Sequence, residues 1–297
     1  YLEILGRRQD GYHELLTAFQ MVDLHDDLTF EPTQSATSLR IKGRGLPKGD
    51  DNLVLKAISL LRREAGLSQE FSICLEKRIP VSGGMGGGSS NAAVTLLVAN
   101  ELGKCGLSVK ELGQLGAQLG ADVPFFLYGG TALGTGRGDT ILPLPCGPVF
   151  DLIVATPAFG VSAAEAYRLF SQGAGQRLPR LTTRHANTTI RRFRELTAGR
   201  EWPEFRNDLE EPVLLQYPVL HELRECMLKA GCKTVLLSGS GSSIFGTGDS
   251  SALRNARLLL QQAGMEGVLE CRTLSTESYR ERLIRNGLGL GSLNPKA

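Results

Sequence analysis

At 297 residues the chain is too long for one small core and suits two lobes of ordinary size. Apolar residues make up 41% and charged residues 22%, a globular balance that excludes a disordered chain. With 33 Lys and Arg against 31 Asp and Glu, the net charge of +2 gives no case for a nucleic-acid or membrane partner.

The chain opens at Tyr1 on a strand-like YLEIL, followed by the turn-rich GRRQDGYHE and a second strand, with LTFEP beyond. A loop from Lys42 to Asp51 leads to a predicted helix over 53–65, with Leu53, Ala57, Leu60 and Leu61 on one face and Gly66 as its stop. FSICLEKRIP alternates with period two and reads as a strand. PVSGGMGGGSS (80–90) follows, with five glycines in eleven positions, and then a helix predicted from Ser89 or Ser90 to Leu102. Ser108 and Glu111 form a capping box for the next helix, whose stripe is Leu112, Leu115 and Leu119. GADVPFFL then places Asp122 ahead of what reads as an apolar strand.

LPLPCGP (142–148) marks a lobe boundary, giving lobes over 1–145 and 146–280 and a solvated tail over 281–297. The second lobe begins with the strand DLIVAT and a helix over 162–170. An arginine-rich stretch from Gly173 to Arg200 follows, and its arginines 177–194 read as a solvated face. KTVLLSGSGSSIFG reads as strand, glycine turn, strand. The six cysteines (74, 105, 146, 226, 232 and 271) include no CxxC pair, so they read as reduced thiols of a cytosol-like compartment rather than as zinc ligands or disulfides. No apolar run approaches the ~20 residues of a membrane span.

The glycine stretch fails the usual nucleotide fingerprints on named residues. Gly84, Gly86 and then Ser89 break G-x-G-x-x-G, and Ser89 follows Gly83 and Gly88 where a Walker loop needs lysine. What survives is an anion nest of glycine amides, a helix N-terminus, and the hydroxyls of Ser89 and Ser90. Asp122 is either a cap before Pro124 or a general base for phosphoryl transfer. Gly239, Ser240 and Gly241 form either a plain hairpin turn or the wall of a pocket. Tyr12 and His13, in DGYHEL, taken alone fit an ordinary surface turn.

Taken in order, the 80–90 loop, GADVPF and SGSGSS resemble the kinases related to galactokinase, homoserine kinase and mevalonate kinase. GRRQDGYHEL, GGMGGGSSNAA, GADVPFFLYGGTALGTGRGD and NDLEEPV (207–213) narrow the resemblance to the 4-diphosphocytidyl-2-C-methyl-D-erythritol kinase family, over about residues 1 to 270. The resemblance implies an α+β, two-lobed small-molecule kinase fold with its active site in the cleft between lobes. It implies ATP with Mg2+, held by Pro80, Val81, Ser82, Gly83, Gly84, Met85, Gly86, Gly87, Gly88, Ser89 and Ser90, with no carboxylate assigned to the metal. Asp122 would activate the substrate 2-hydroxyl. Tyr12 and His13 would meet the cytidine end, Tyr167 would stack on the base, and Gly239, Ser240 and Gly241 would complete the substrate wall. The family's KINL-like lysine would fall just ahead of Tyr1, and a truncated start is the expected reason. The alternatives are a sister kinase of the homoserine or mevalonate type, which DGYHEL argues against, and a catalytically damaged nucleotide-binding relative. A monomer or weak homodimer in a bacterial cytoplasm or a plastid stroma fits the sequence.

Overall fold

The computed structural model describes residues 1–43, 49, 51–173, 191 and 205–285. Three sheets organise it. Strands β1 (Leu2–Arg7), β2 (His13–Gln20), β6 (Thr131–Gly136) and β7 (Thr140–Leu144) form an antiparallel sheet in the order β1-β2-β6-β7. Strands β3 (Asp27–Thr33), β4 (Ser38–Lys42) and β5 (Glu70–Glu76) form a small sheet ordered β3-β5-β4, in which β4 runs parallel to β5. In the second half β8 (Asp151–Ala155), β9 (Thr234–Leu237), β10 (Ile244–Thr247) and β11 (Val268–Arg272) pair antiparallel as β11-β8-β10-β9. The whole is an α+β fold in two halves.

Helix α1 (Leu53–Ala65) is capped by the Asn52 side chain and stopped by a left-handed Gly66, so it spans the predicted residues. Helix α2 (Gly87–Leu102) starts earlier than the serines suggested, because Gly86 takes the left-handed region at φ 65 and serves as the N-cap. Helix α3 (Val109–Leu119) carries the Ser108–Glu111 capping box in full. The stretch after Asp122 corrects the expected strand. It is helix α4 (Val123–Tyr128), because Pro124 falls in the first turn, where its fixed φ suits a helix and its missing N–H costs nothing. Helix α5 (Ala163–Gly173) follows β8, and α6 (Glu210–Gln216), α7 (Pro218–Lys229) and α8 (Ser250–Gln262) complete the second half.

Helices α1, α2 and α4 share a core built on Leu61, Phe71, Ile73, Leu96 and Leu97. A second core joins Ile153, Leu237, Ile244 and Leu260, and also takes in Ile4 and Leu15 from the first strands. The expected tail is in part a helix, α9 (Thr276–Arg285). Its Leu283 is buried in the first core, and its Tyr279 hydroxyl donates to the Phe126 carbonyl at 2.7 Å. Among the described residues no helix is long and apolar enough to cross a membrane, and all six cysteines are free thiols. Of the arginine-rich stretch only Gly173 and Arg191 lie within the described residues.

Candidate active site

A cleft of about 1960 Å³ runs between the two halves, and the open end of α2 faces it. Gly86 supplies no side chain to cap α2, so the first-turn amides stay available to an anion. From the 80–90 loop, Gly84, Met85, Gly86, Ser89 and Ser90 line the cleft, whereas Pro80, Val81, Ser82, Gly83, Gly87 and Gly88 do not. Gly87 packs on Ile79 and Gly88 on Leu53. The close approach that Gly84 permits is to another part of the chain. A Cβ there would lie 1.9 Å from the Ser238 carbonyl oxygen, and its φ of 71 is also left-handed.

The two glycine loops therefore interlock. Ser238 Oγ donates to the Gly84 carbonyl at 2.9 Å, and the Ser243 amide donates to the Gly83 carbonyl at 3.1 Å. Gly239 and Ser240 line the cleft beside them, while Gly241 turns away and spends its amide on the Ser238 carbonyl at 2.9 Å.

Asp122 is the N-cap of α4 and yet makes no capping bond, so among the described residues its carboxylate is left free at the cleft. Solvent reaches it through the cleft mouth, but protein surrounds it on the longer scale that governs solvation. Burial therefore raises its pKa above the ordinary carboxylate value. Tyr167 is close enough to feel that charge, although burial is the larger reason its hydroxyl is pushed up. His13 stacks on Tyr167 with ring centroids 4.9 Å apart and planes 13° apart, and meets the edge of Phe170 at 6.2 Å. Desolvation first, and the nearby Arg7 second, hold the His13 imidazole below its usual pKa, so it is neutral at pH 7. Tyr12 is 57% exposed, with the Arg137 guanidinium 5.1 Å above its ring.

Two family signatures match the chain: the GHMP kinases N terminal domain over residues 52–130 and the GHMP kinases C terminal domain over 187–266. A 4-diphosphocytidyl-2-C-methyl-D-erythritol kinase of Pelotomaculum thermopropionicum is 38% identical over 92% of this chain and 94% of its own. The namesake of Heliobacterium modesticaldum is 36% identical over 94% of each. The chain belongs to the 4-diphosphocytidyl-2-C-methyl-D-erythritol kinase family of the GHMP kinases. It is a kinase. A crystal structure of a 4-(cytidine 5'-diphospho)-2C-methyl-D-erythritol kinase superposes with a TM-score of 0.73 at 35% identity, covering 92% of this chain and 94% of that one. A homoserine kinase from Cytophaga hutchinsonii, at 20% identity and a TM-score of 0.63, shares the fold.

One cluster in this family site was not visible in the sequence. The Asp26 side chain is fully buried and Lys77 is 5% exposed, and the two pair at 2.8 Å. Asp26 also accepts from the amides of Arg78 (2.7 Å) and Ile79 (2.8 Å) and from Asn91 Nδ2 (2.9 Å). It thereby ties the entry of the glycine loop to α2. Burial lowers the Lys77 pKa, and the Asp26 partner opposes that shift. Neither HDD nor EKR carries a pattern that tells a buried carboxylate or ammonium from its solvated neighbours.

Proposed function

We propose that the chain transfers the γ-phosphoryl group of ATP to the 2-hydroxyl of 4-diphosphocytidyl-2-C-methyl-D-erythritol, in the non-mevalonate route to isoprenoid precursors. The observation that carries this reading is the free Asp122 carboxylate, set in one cleft with the uncapped start of α2 and the His13–Tyr167 pair. In this reading the backbone of Gly84, Met85 and Gly86 ahead of α2 and the hydroxyls of Ser89 and Ser90 hold the nucleotide phosphates. Asp122 accepts the proton of the 2-hydroxyl as its oxygen attacks the γ-phosphorus and ADP leaves. Burial raises the Asp122 pKa and so makes it a better proton acceptor than an ordinary carboxylate. Tyr167 and Tyr12 offer aromatic faces to the cytosine, and base stacking of this kind is worth about 1–3 kcal/mol. Neutral His13 has Nε2 at 3.5 Å from Ser171 Oγ and offers Nδ1 to the base edge.

Magnesium, when bound with ATP, neutralises developing charge on the phosphates. Among the described residues no group of three His, Cys, Asp or Glu side chains could hold a metal alone. The serine hydroxyls at the cleft fit a cation that arrives on the phosphates. The reading assigns residues 1–145 to the nucleotide lobe and 146–280 to the second lobe, in a cytoplasmic protein.

The test is ADP release from ATP and magnesium with the cytidine diphosphate substrate, with homoserine, mevalonate and galactose as controls. It is run on the chain beginning at Tyr1 and on one extended by the family's KINL-like stretch. Turnover restricted to the cytidine substrate is expected. Nucleotide binding without cytidine-dependent turnover in either form overturns the reading.

A further inference from the structure

The NDLE run at 207–210 marks the family resemblance but has no part in the chemistry above. In the fold it is a clasp. Asn207 is 9% exposed and uses its whole carboxamide on the backbone. Nδ2 donates to the carbonyls of Leu237 at 2.9 Å and Gly239 at 2.7 Å, and Oδ1 accepts from the Leu209 amide at 3.0 Å. With two carbonyls on one side and one amide on the other, the orientation of the carboxamide has one solution. Glu210 Oε2 accepts from the Leu237 amide at 2.6 Å, and Asp208 Oδ2 accepts from the Ile4 amide at 2.8 Å. The run thus grips the end of β9 and pins it to β1.

What Asn207 grips is the start of the second glycine loop. Gly239, whose carbonyl it holds, has a left-handed φ of 56, so the turn leaves β9 at an angle set by that bond. Ser238, between the two gripped carbonyls, donates to the Gly84 carbonyl, and Ser243 donates to that of Gly83. Gly84 has no room to move toward Ser238, since even a Cβ would meet the Ser238 carbonyl at 1.9 Å. A shift of residues 238–239 is therefore passed on to Gly83 and Gly84, and so to the turn that opens α2.

We propose that Asn207 is a positioning residue for the nucleotide: through the loop at 238–243 it sets where residues 83–86 present the start of α2 to the ATP phosphates. This rests on the phosphate-binding reading of that loop. Asn207 lines the same cleft but spends its carboxamide on the loop that seats the phosphates, so loss of the clasp weakens nucleotide binding more than it slows transfer.

Asn100 supplies an internal control. It is 4% exposed and clasps Leu107 in the same way, donating to its carbonyl at 3.0 Å and accepting from its amide at 2.9 Å, in a turn that does not line the cleft. Asn207→Ala and Asn100→Ala are compared with the unaltered chain by melting temperature, by titration with a fluorescent ATP analogue, and by KM for ATP and kcat with the cytidine substrate. Both variants are expected to melt lower. Only Asn207→Ala is expected to weaken the analogue and raise KM for ATP by about tenfold, the equivalent of one well-made hydrogen bond, with kcat changed less. Asn207→Ser is too short to span both carbonyls and sets no charge against them, so it covers the case in which alanine fails to fold. It is expected to show the same split. Analogue affinity within twofold of the unaltered chain in a folded Asn207 variant overturns the proposal, as does an equal loss in Asn100→Ala. If the unaltered chain binds the analogue but fails to turn over the cytidine substrate, the functional reading falls. The titration still decides the role of Asn207.

Discussion

Asp26 and Asp122 line the same cleft, one just ahead of β3 and the other at the start of α4, and their surroundings are opposite. Asp26 accepts from two amides, one ammonium and one carboxamide, all at 2.7–2.9 Å. Asp122 occupies a helix N-cap position and accepts nothing from the helix it begins. A carboxylate whose lone pairs are all engaged is a poor proton acceptor, because a proton must displace a donor. One left free and partly desolvated gains a partner when it takes the proton. The same residue type therefore serves as a fastener in one place and is fitted for chemistry in the other, and the difference is read from its partners rather than its exposure.

That contrast breaks first at Asp122. Asp122→Asn keeps the shape and removes the base, so kcat should fall by about 10²–10⁴, the range for a lost general base. The fold should not suffer. Because burial raises the Asp122 pKa, the folded state disfavours its charge, and that cost is present at neutral pH. Removing the charge should leave the melting temperature equal to that of the unaltered chain or slightly above it. A folded Asn variant with undiminished kcat would remove Asp122 from the reaction.

Asp26 should behave the other way round. Asp26→Ala leaves the Lys77 ammonium buried without its counter-charge, a change that costs about 3–5 kcal/mol for buried pairs. Denaturant unfolding should show the loss. Replacing both partners by apolar residues, Asp26→Leu with Lys77→Met, should recover part of it, since the penalty lies in the stranded charge. If Asp26→Ala unfolds at the same denaturant concentration as the unaltered chain, the contrast between the two aspartates has no energetic content.

The sequence reached Asp122 and did not reach Asp26, for a physical reason. GADVPF is a local constellation: a glycine stop, a carboxylate and a proline announce a new element, and family resemblance selects between cap and base. The same proline is ambiguous in sequence, since an apolar run of VPFFL fits a strand as well as a helix and only position N1/N2 decides. Asp26 gathers its partners from 51 to 65 residues away, and no spacing in HDD encodes that. The helices at 53–65 and 109–119 were legible because their caps and stripes are local. The interlock of Gly84 with Ser238 was not, although each loop stood out by composition. Glycine content announces a close approach without naming what approaches. Strand β4 and the helix over 276–285 left little local signal, since both depend on pairing or docking with distant parts of the chain.

The smallest effect is also the sharpest on the comparison, because it needs no mutation. Only ionised Asp122 can take the substrate proton, so kcat should fall tenfold per pH unit on acidification below its pKa. That limb should sit above the ordinary 3.8 of an aspartate, since burial raises the value. Stability linked to Asp122 should run the opposite way across the same window, from 3.8 up to the raised value. The folded state holds the proton more tightly there, so this contribution grows as pH falls while activity is lost. His13 is kept separate by its own direction: its pKa is lowered, and its protonation should appear in KM for the cytidine substrate rather than in kcat. Measuring kcat against pH at saturating substrate, beside the melting temperature over the same range, tests both signs together. An acid limb that persists unchanged in the residual activity of Asp122→Asn would assign it to another group.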